Sequence, residues 1–167
     1  MFIRAFFTAL LLTLAGCQQD LMPSGEDIRD SSVPGISEDF SVSLSDGSTY
    51  SLSSALSTHD AVVLYFTMWC PVCDEHMQHL RESFVPAYPN VQFVLVDYVS
   101  DSISATYKNQ RSAGYLDFLT ISDHQNLLQN MFAGTMGTTV VIDKNFVVQM
   151  AEGFKTGEQL QSVLNAL

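Results

Sequence analysis

The feature that most constrains this chain is the segment Cys70-Pro71-Val72-Cys73, which directly follows a continuous apolar stretch, Ala61–Phe66. That stretch is rich in β-branched and aromatic residues, which predicts a strand buried on both faces. Residues 74–84 then predict a helix, because apolar residues recur on one face. Two cysteines between a buried strand and a helix N-terminus are typical of redox-active thiols, since backbone N–H groups and the helix dipole lower the thiol pKa there.

Each residue of this segment has an expected role. Cys70, at the start of the helix, is the expected nucleophile, because the thiolate is the species that attacks a disulfide. Cys73, one turn further on, is the expected resolving cysteine. Pro71 suits the first helical turn, where its missing N–H is not needed. Trp69 is expected to pack beside the pair and to shape the surface that receives a substrate.

Two other interpretations of the cysteine pair explain less. A purely structural disulfide would close a very short loop and would restrict the unfolded chain little. Half of a zinc site would need two further ligands, and the chain has no second pair of cysteines to supply them. No cofactor other than the redox-active disulfide itself is therefore expected.

The first residues predict export. Arg4 precedes an apolar stretch, residues 5–14, that is short for a membrane span, and Leu14-Ala15-Gly16-Cys17 follows. This segment resembles the lipobox of bacterial lipoproteins, which implies that residues 1–16 are a signal peptide and that Cys17 is lipidated. The alternatives are a short N-terminal membrane helix or an ordinary signal cleaved nearby. Lipidation of Cys17 would leave Cys70 and Cys73 as an even pair.

This assignment predicts a protein anchored to a membrane on its extracytoplasmic side. Gln18 after the lipidated cysteine resembles the outer-membrane sorting pattern of Gram-negative lipoproteins. Residues 17–36 contain prolines, glycines and serines without an apolar period, which predicts a tether, and the folded domain is expected to span residues 37–167.

Composition narrows the classes of partner. Hydrophobic residues make up 47% of the 167 residues and charged residues 15%, which favours a packed core over a disordered chain. The formal net charge is -11, and the seven Lys and Arg residues are scattered. Nucleic acid is therefore excluded as a partner, because binding to a phosphate backbone requires a basic patch.

The rest of the chain predicts alternating strands and helices. The expected elements are a hairpin at 40–44 and 50–52, a helical turn at 53–57, a strand at 91–96, a helix at 102–113, a short strand at 118–121, a helix at 125–132, a hairpin at 138–142 and 146–150, and a closing helix at 156–167. This order predicts an α/β domain with a mixed central sheet, helices on both faces and an N-terminal β-hairpin extension. Such an architecture is expected of a thioredoxin-like fold.

Three segments support one family resemblance over residues 37–167. Residues 62–73, ending in Trp-Cys-Pro-Val-Cys, resemble the Trp-Cys-Pro-x-Cys segment of the ResA/TlpA-like extracytoplasmic thioredoxins. Residues 134–143 resemble the family's later Gly-x-Pro-Thr-Thr-x-x-Ile-Asp segment, and residues 152–154 resemble its Gly-Phe turn. The resemblance implies a thiol-disulfide oxidoreductase that acts on exported proteins as a reductant, together with an unknown redox partner. It also implies that Trp69, Pro71, Gly137 and Thr138 contact the substrate.

The sequence departs from this family at two places. Gly137 stands where members carry a cis-proline, and because a cis peptide bond without proline costs about 2.5–4 kcal/mol, a trans loop is expected at 135–138. The buried acid that cytoplasmic thioredoxin carries six residues before its first cysteine is replaced by Leu64. The resemblance instead makes Asp101 the candidate proton acceptor for Cys73; an ordinary surface aspartate near a helix start is the alternative.

Two further functions remain open from the sequence. If the chain is instead a copper-binding assembly protein of thioredoxin fold, its ligands would be Cys70, Cys73 and His124, since thiolate and imidazole suit copper. Thiol peroxidases place a threonine three residues before the reactive cysteine, as Thr67 stands before Cys70.

Overall fold

The computed structural model describes residues 35–167. Its strands are β1 Ser41–Ser43, β2 Thr49–Ser51, β3 Ala61–Thr67, β4 Val91–Asp97, β5 Leu119–Ser122, β6 Thr138–Asp143 and β7 Val148–Gly153. Its α-helices are α1 Leu52–Leu56, α2 Pro71–His79, α3 Val85–Ala87, α4 Ile103–Ala113, α5 Leu127–Phe132 and α6 Glu158–Leu164. The predicted signal peptide, residues 1–16, and residues 17–34 of the predicted tether lie outside the described residues.

Five strands form one mixed sheet in the order β5-β4-β3-β6-β7. β3, β4 and β5 run parallel, whereas β6 and β7 are antiparallel to their neighbours. β1 and β2 form a separate antiparallel hairpin, joined to the sheet by a bridge between Leu44 and Ile121. The predicted thioredoxin-like α/β architecture, including its N-terminal hairpin, is confirmed.

The central strand β3 separates two apolar clusters, because its side chains alternate between the two faces of the sheet. Ala61, Val63 and Tyr65 point to one face, which we name the site face; it also holds Cys73, Met77, Leu80, Phe84, Phe93, Leu95, Tyr115, Phe118, Val141, Met150, Phe154, Leu160 and Leu164. Val62, Leu64 and Phe66 point to the other, the hairpin face, with Phe40, Leu44, Tyr50, Leu52, Ala55, Leu56, Val94, Val96, Ile121, Leu128, Val140 and Ile142. The strand is thus buried on both sides, as its continuous apolar stretch predicts.

The helix after the cysteine pair differs from its prediction at both ends. It begins at Pro71 rather than residue 74, because Cys70 caps its first turn. It does not end before Pro86: a π-helical turn, Leu80–Phe84, leads into α3. Pro86 lies in the first turn of α3, where its missing N–H is tolerated.

The folded domain begins slightly earlier than residue 37. The Gly35 carbonyl accepts a hydrogen bond from the Val148 N–H at 2.8 Å, and the Ser37 N–H donates to the Phe146 carbonyl at 2.7 Å. Gly35 and Ile36, predicted as the end of the tether, are therefore attached to the β6–β7 hairpin. Within residues 35–167, no helix has the length and apolar character needed to cross a membrane.

Candidate active site

The cysteine pair lies just beyond the carboxyl end of β3. Trp69 makes the turn from strand to helix with φ of 60°, and its N–H donates a hydrogen bond to Thr67 Oγ1 at 3.1 Å. This left-handed conformation costs about 1–2 kcal/mol for a residue with a Cβ. The turn brings Cys70 to the N-cap of α2. Both cysteines therefore lie between the carboxyl end of the central strand β3 and the start of a helix, as predicted.

Cys70 is the accessible sulfur of the pair. Its side chain is partly exposed, and its Sγ accepts a hydrogen bond from the Cys73 N–H at 3.2 Å. Its thiol also donates to Met136 Sδ at 3.4 Å, across the facing loop. The exposed Pro71 and Val72 continue the helix beside it. A disulfide of another molecule can therefore reach Cys70.

Cys73 is completely buried, with 0% exposure, in the site-face cluster. The described chain carries both Cys70 and Cys73 as free thiols. Because only Cys70 can be reached from outside, the geometry separates an attacking sulfur from a second sulfur that can act only inside the protein.

The pKa directions of the two thiols reverse the expectation from the helix N-terminus. Burial raises the pKa of Cys70, and the hydrogen bond it shares with Cys73 adds to this increase. Burial also acts to raise the pKa of Cys73, but hydrogen bonds from Cys70, the Met68 backbone and Thr67 outweigh it, so that this pKa is lowered. The Cys73 sulfur thus lies among several hydrogen-bond donors, which favour its thiolate.

The loop facing the pair is held by its backbone. No cis peptide bond occurs among residues 35–167, which confirms the expected trans loop at Gly137. Gly137 has φ of 78°, a conformation that favours glycine; its N–H donates to the Phe66 carbonyl at 2.9 Å, and its carbonyl accepts from the Phe154 N–H at 2.8 Å. Thr138 Oγ1 accepts from the Thr135 N–H at 3.0 Å. These bonds place Met136 against Cys70.

Two residues that the sequence did not indicate complete the site. The Tyr65 hydroxyl lies 2.9 Å from His76 Nδ1, and the Tyr65 side chain lies in the same buried cluster as Cys73. Tyr65 comes from β3 and His76 from α2, one turn beyond Cys73 in chain order. Both faces of β3 are apolar in sequence, so nothing in the pattern showed which face Tyr65 would occupy.

Asp101 does not join this group. It is exposed, and its carboxylate accepts a hydrogen bond from the Ser102 hydroxyl at 3.1 Å. No hydrogen bond links it to Cys73 among the described contacts, so its role as proton acceptor gains no support. The buried acid nearby is Asp97, whose carboxylate accepts the N–H groups of Val99 and Ser100, each at 3.1 Å, and so fixes the loop after β4.

The predicted copper ligand set is not assembled. Within the described range, no three His, Cys, Asp or Glu side chains are placed to hold a metal ion. His124 follows β5, which β4 separates from β3, so that two strand spacings of about 4.8 Å each lie between them. The His124 ring instead contacts the Ser122 hydroxyl and carbonyl. The described structure therefore does not bring Cys70, Cys73 and His124 together as one site.

The threonine of the peroxidase alternative is part of the turn before the cysteines. Thr67 is completely buried, and its hydroxyl accepts the Trp69 N–H. Cys17, the predicted lipidation site, lies outside the described residues.

The fold and the site together define a thioredoxin-fold protein with a Cys-x-x-Cys dithiol. The Redoxin family model matches residues 23–166, and the chain therefore belongs to the Redoxin family. The match begins inside the predicted tether. No curated protein matches the chain.

Several solved structures share the fold at low sequence identity. Peroxidoxin BcpB from Mycobacterium tuberculosis has a TM-score of 0.64 and 22% identity, over 80% of this chain and 96% of that one. M. tuberculosis DsbF has a TM-score of 0.62 and 21% identity, over 76% and 93%. A secreted M. tuberculosis disulfide oxidoreductase homologous to E. coli DsbE has a TM-score of 0.57 and 18% identity, over 77% and 96%.

Proposed function

We propose that this protein is a membrane-anchored thiol-disulfide oxidoreductase that reduces disulfides of exported proteins through Cys70 and Cys73. The observation that carries the proposal is the division of the pair into an accessible Cys70 at the N-cap of α2 and a fully buried Cys73 one turn further on. The fold shared with a secreted disulfide oxidoreductase supports the same reading.

The reaction follows from this division. Cys70 first passes its proton to Cys73, and the Cys70 thiolate then attacks one sulfur of a substrate disulfide. A mixed disulfide forms, and the other substrate sulfur leaves as a thiolate, which takes up a proton from solvent. Cys73 then loses its proton and attacks Cys70 Sγ. The Cys70–Cys73 bond forms, the second substrate thiol is released, and two electrons have passed from the protein to the substrate.

The surface around Cys70 is largely apolar. Met68, Val72 and Met136 are 43%, 45% and 45% exposed, which is unusual for such side chains and suits an extended, partly unfolded substrate. Pro71 is exposed beside them, whereas Gly137 and Thr138 are buried and act by fixing the loop that carries Met136. Trp69 is partly buried and packs against the site-face cluster.

The anchoring part of the proposal rests on Leu14-Ala15-Gly16-Cys17. A lipid attached to Cys17 would hold the domain outside the cytoplasm on a tether of about twenty residues, close to exported clients. Cys17→Ala should move the full-length protein from the membrane fraction to the soluble fraction. Retention of Cys17→Ala in the membrane would contradict lipid anchoring and favour an N-terminal membrane helix.

Trapping of mixed disulfides tests the exchange activity. In full-length Cys73→Ala, Cys70 should accumulate covalent adducts with exported proteins that dissociate under a reducing agent. The matched control is Cys70→Ala, which keeps the buried Cys73 and should trap nothing. Equal trapping by both variants, or by neither, would refute the proposed division of roles. If the wild type instead consumes hydrogen peroxide at the expense of a dithiol while Cys73→Ala traps no protein, the peroxidase alternative replaces it.

A further inference from the structure

The second half of the proposed reaction requires a proton acceptor that the sequence did not identify. Cys73 has 0% exposure, so water cannot readily remove its proton when it resolves the mixed disulfide. Leu64 occupies the position of the familiar buried acid, and Asp101 makes no described contact with Cys73. Another group near Cys73 must therefore take the proton.

One polar side-chain path from Cys73 toward the surface runs through Tyr65 and His76. The Tyr65 side chain is 1% exposed and lies in the same buried cluster as Cys73, which helps to raise the pKa of Tyr65. Its hydroxyl lies 2.9 Å from His76 Nδ1. His76 is only half-buried, and its ring packs on Phe154 with centroids 4.7 Å apart. The three groups thus form a chain from a buried sulfur to a side chain that reaches solvent.

We propose that Tyr65 and His76 form a proton relay that deprotonates Cys73 during resolution of the mixed disulfide, an inference that rests on the proposed exchange function. The Cys73 thiol donates its proton to the Tyr65 oxygen while the Tyr65 hydroxyl donates its own proton to His76 Nδ1. The resulting Cys73 thiolate attacks Cys70 Sγ, the mixed disulfide breaks, and the substrate sulfur leaves as a thiolate. His76, now protonated, returns its proton to solvent or to that thiolate.

The state of the pair explains why a base is needed at this step. In the free dithiol, the hydrogen bond from Cys70 helps to lower the Cys73 pKa. Once Cys70 is part of a mixed disulfide it has no proton to donate, so this stabilisation of the thiolate is lost and burial favours the protonated thiol.

The groups around His76 keep its ring neutral, so that it can accept a proton. Burial lowers the pKa of His76 below its ordinary value, and the neighbouring His79 acts in the same direction, whereas Glu75 acts to raise it. His76 is therefore neutral at pH 7. Two further titratable groups interact with this path: Tyr115 raises the pKa of Tyr65, and both cysteines raise the pKa of Tyr98, the residue after β4. Phe154 and Gly137, which contact or approach the His76 ring, carry no charge.

A two-phase chemical assay separates the relay from the attack by Cys70. Reduced full-length protein is mixed with dithiobis(nitrobenzoate), which releases one coloured thiolate when Cys70 is modified and a second when Cys73 closes the disulfide. His76→Gln and Tyr65→Phe should slow the second release at least about tenfold, since general-base catalysis typically contributes about 10²–10⁴-fold. The first release should be unchanged. His59→Gln, at the opposite end of β3 from the cysteines, is the control and should leave both phases unchanged.

The pH dependence distinguishes a relay from a structural role. In the wild type, the rate of the second release should rise with pH through a pKa below the ordinary histidine value of 6.5 and then level off. His76→Gln should lose this inflection, and the double variant should be no slower than the slower single variant.

The outcomes separate the relay from the exchange function itself. If the wild type shows both phases and His76→Gln changes neither the second rate nor its pH profile, the relay is wrong while the exchange function stands. If the wild type shows no second release, resolution by Cys73 is wrong and the relay fails with it. Tyr65→Phe removes one oxygen only; if it does not fold, the His76→Gln profile decides alone.

Discussion

The central strand β3 contributes side chains to both faces of the sheet, and the two faces differ in their chemistry. On the hairpin face, β3 contributes Val62, Leu64 and Phe66 to an apolar cluster, against which Tyr98 packs. On the site face, the adjacent Tyr65 lies in the same cluster as Cys73 and carries its hydroxyl to His76. Neighbouring residues of this doubly buried strand therefore differ in role: Leu64 and Phe66 pack in the core, whereas Tyr65 takes part in the proposed proton transfer. A loss on the hairpin face should therefore change stability alone, whereas a loss on the site face should also change the reaction.

The largest stability effect is expected on the hairpin face, at Leu64. Leu64→Ala should lower the free energy of unfolding by about 2–5 kcal/mol, because Leu64 is 0% exposed and its removal leaves a cavity. Both phases of thiolate release should keep their wild-type rates in conditions where the variant is folded. Denaturant unfolding and the two-phase assay measure the two quantities. A selective loss of the second phase would break the comparison, since it would place part of the proton chemistry on the hairpin face.

Gly134 gives a second, smaller test of packing on that face. A Cβ at Gly134 would overlap the Phe66 ring, so Gly134→Ala should cost about 1–3 kcal/mol through overpacking. Gly153→Ala is the control, because a Cβ there meets nothing within 4 Å. Thermal and denaturant unfolding of both variants would show whether close packing of Phe66 matters; equal stability of the two would contradict it.

A pair of tyrosines tests the difference between the faces directly. Tyr50, on the hairpin face, donates to Gln92 Oε1 at 3.0 Å, and Tyr65, on the site face, bonds to His76 at 2.9 Å. Tyr50→Phe and Tyr65→Phe should each cost about 1 kcal/mol, the usual net value of one hydrogen bond. Only Tyr65→Phe should slow the second release. The comparison would fail if Tyr50→Phe slowed that phase to the same extent.

The smallest effect is the pH dependence of stability that His76 contributes. Because burial lowers the folded-state pKa of His76 below 6.5, the unfolded chain binds more protons than the folded chain in mild acid. This contribution is fully present above the unfolded pKa and is lost as the pH falls through the folded pKa. His76→Gln should therefore flatten the decline in unfolding free energy between about pH 7 and about pH 5. A slope identical to that of the wild type would show that His76 titrates alike in both states.

Sequence patterns predicted the sheet better than the details of the site. The apolar stretches predicted the strands β3, β4 and β6 and, approximately, the residues at which they end. A short continuous apolar stretch rich in β-branched residues is typical of a buried strand. The π-helical turn at Leu80–Phe84 had no comparable signal, since the sequence shows only one helical face and a following proline. Helix α5 begins at Leu127 and not at residue 125, because Asn126 adopts a left-handed conformation. The Asp123 carboxylate accepts the N–H groups of Leu128 and Gln129 in the first turn.

Contacts in the site between residues close in sequence could be predicted. Contacts between residues on different elements could not, because the order of the strands sets their separation. The Cys70–Cys73 spacing places both sulfurs within one helical turn, so their proximity follows from local geometry. His124 follows a strand that lies two positions away from β3, a distance that only the strand order reveals. The contact between Tyr65 and His76 spans eleven residues and depends on the face that each occupies. The lowered pKa of Cys73 depends in turn on donors from three residues around it.

The reduction potential of the Cys70/Cys73 couple decides whether the protein reduces its substrates. It can be measured on the full-length protein by equilibration in thiol-disulfide buffers of graded potential. We expect a reversible two-electron couple near about -270 mV, a value typical of a reductant. A potential near about -120 mV would contradict the proposed direction of electron flow, and the absence of a reversible couple would contradict disulfide exchange itself.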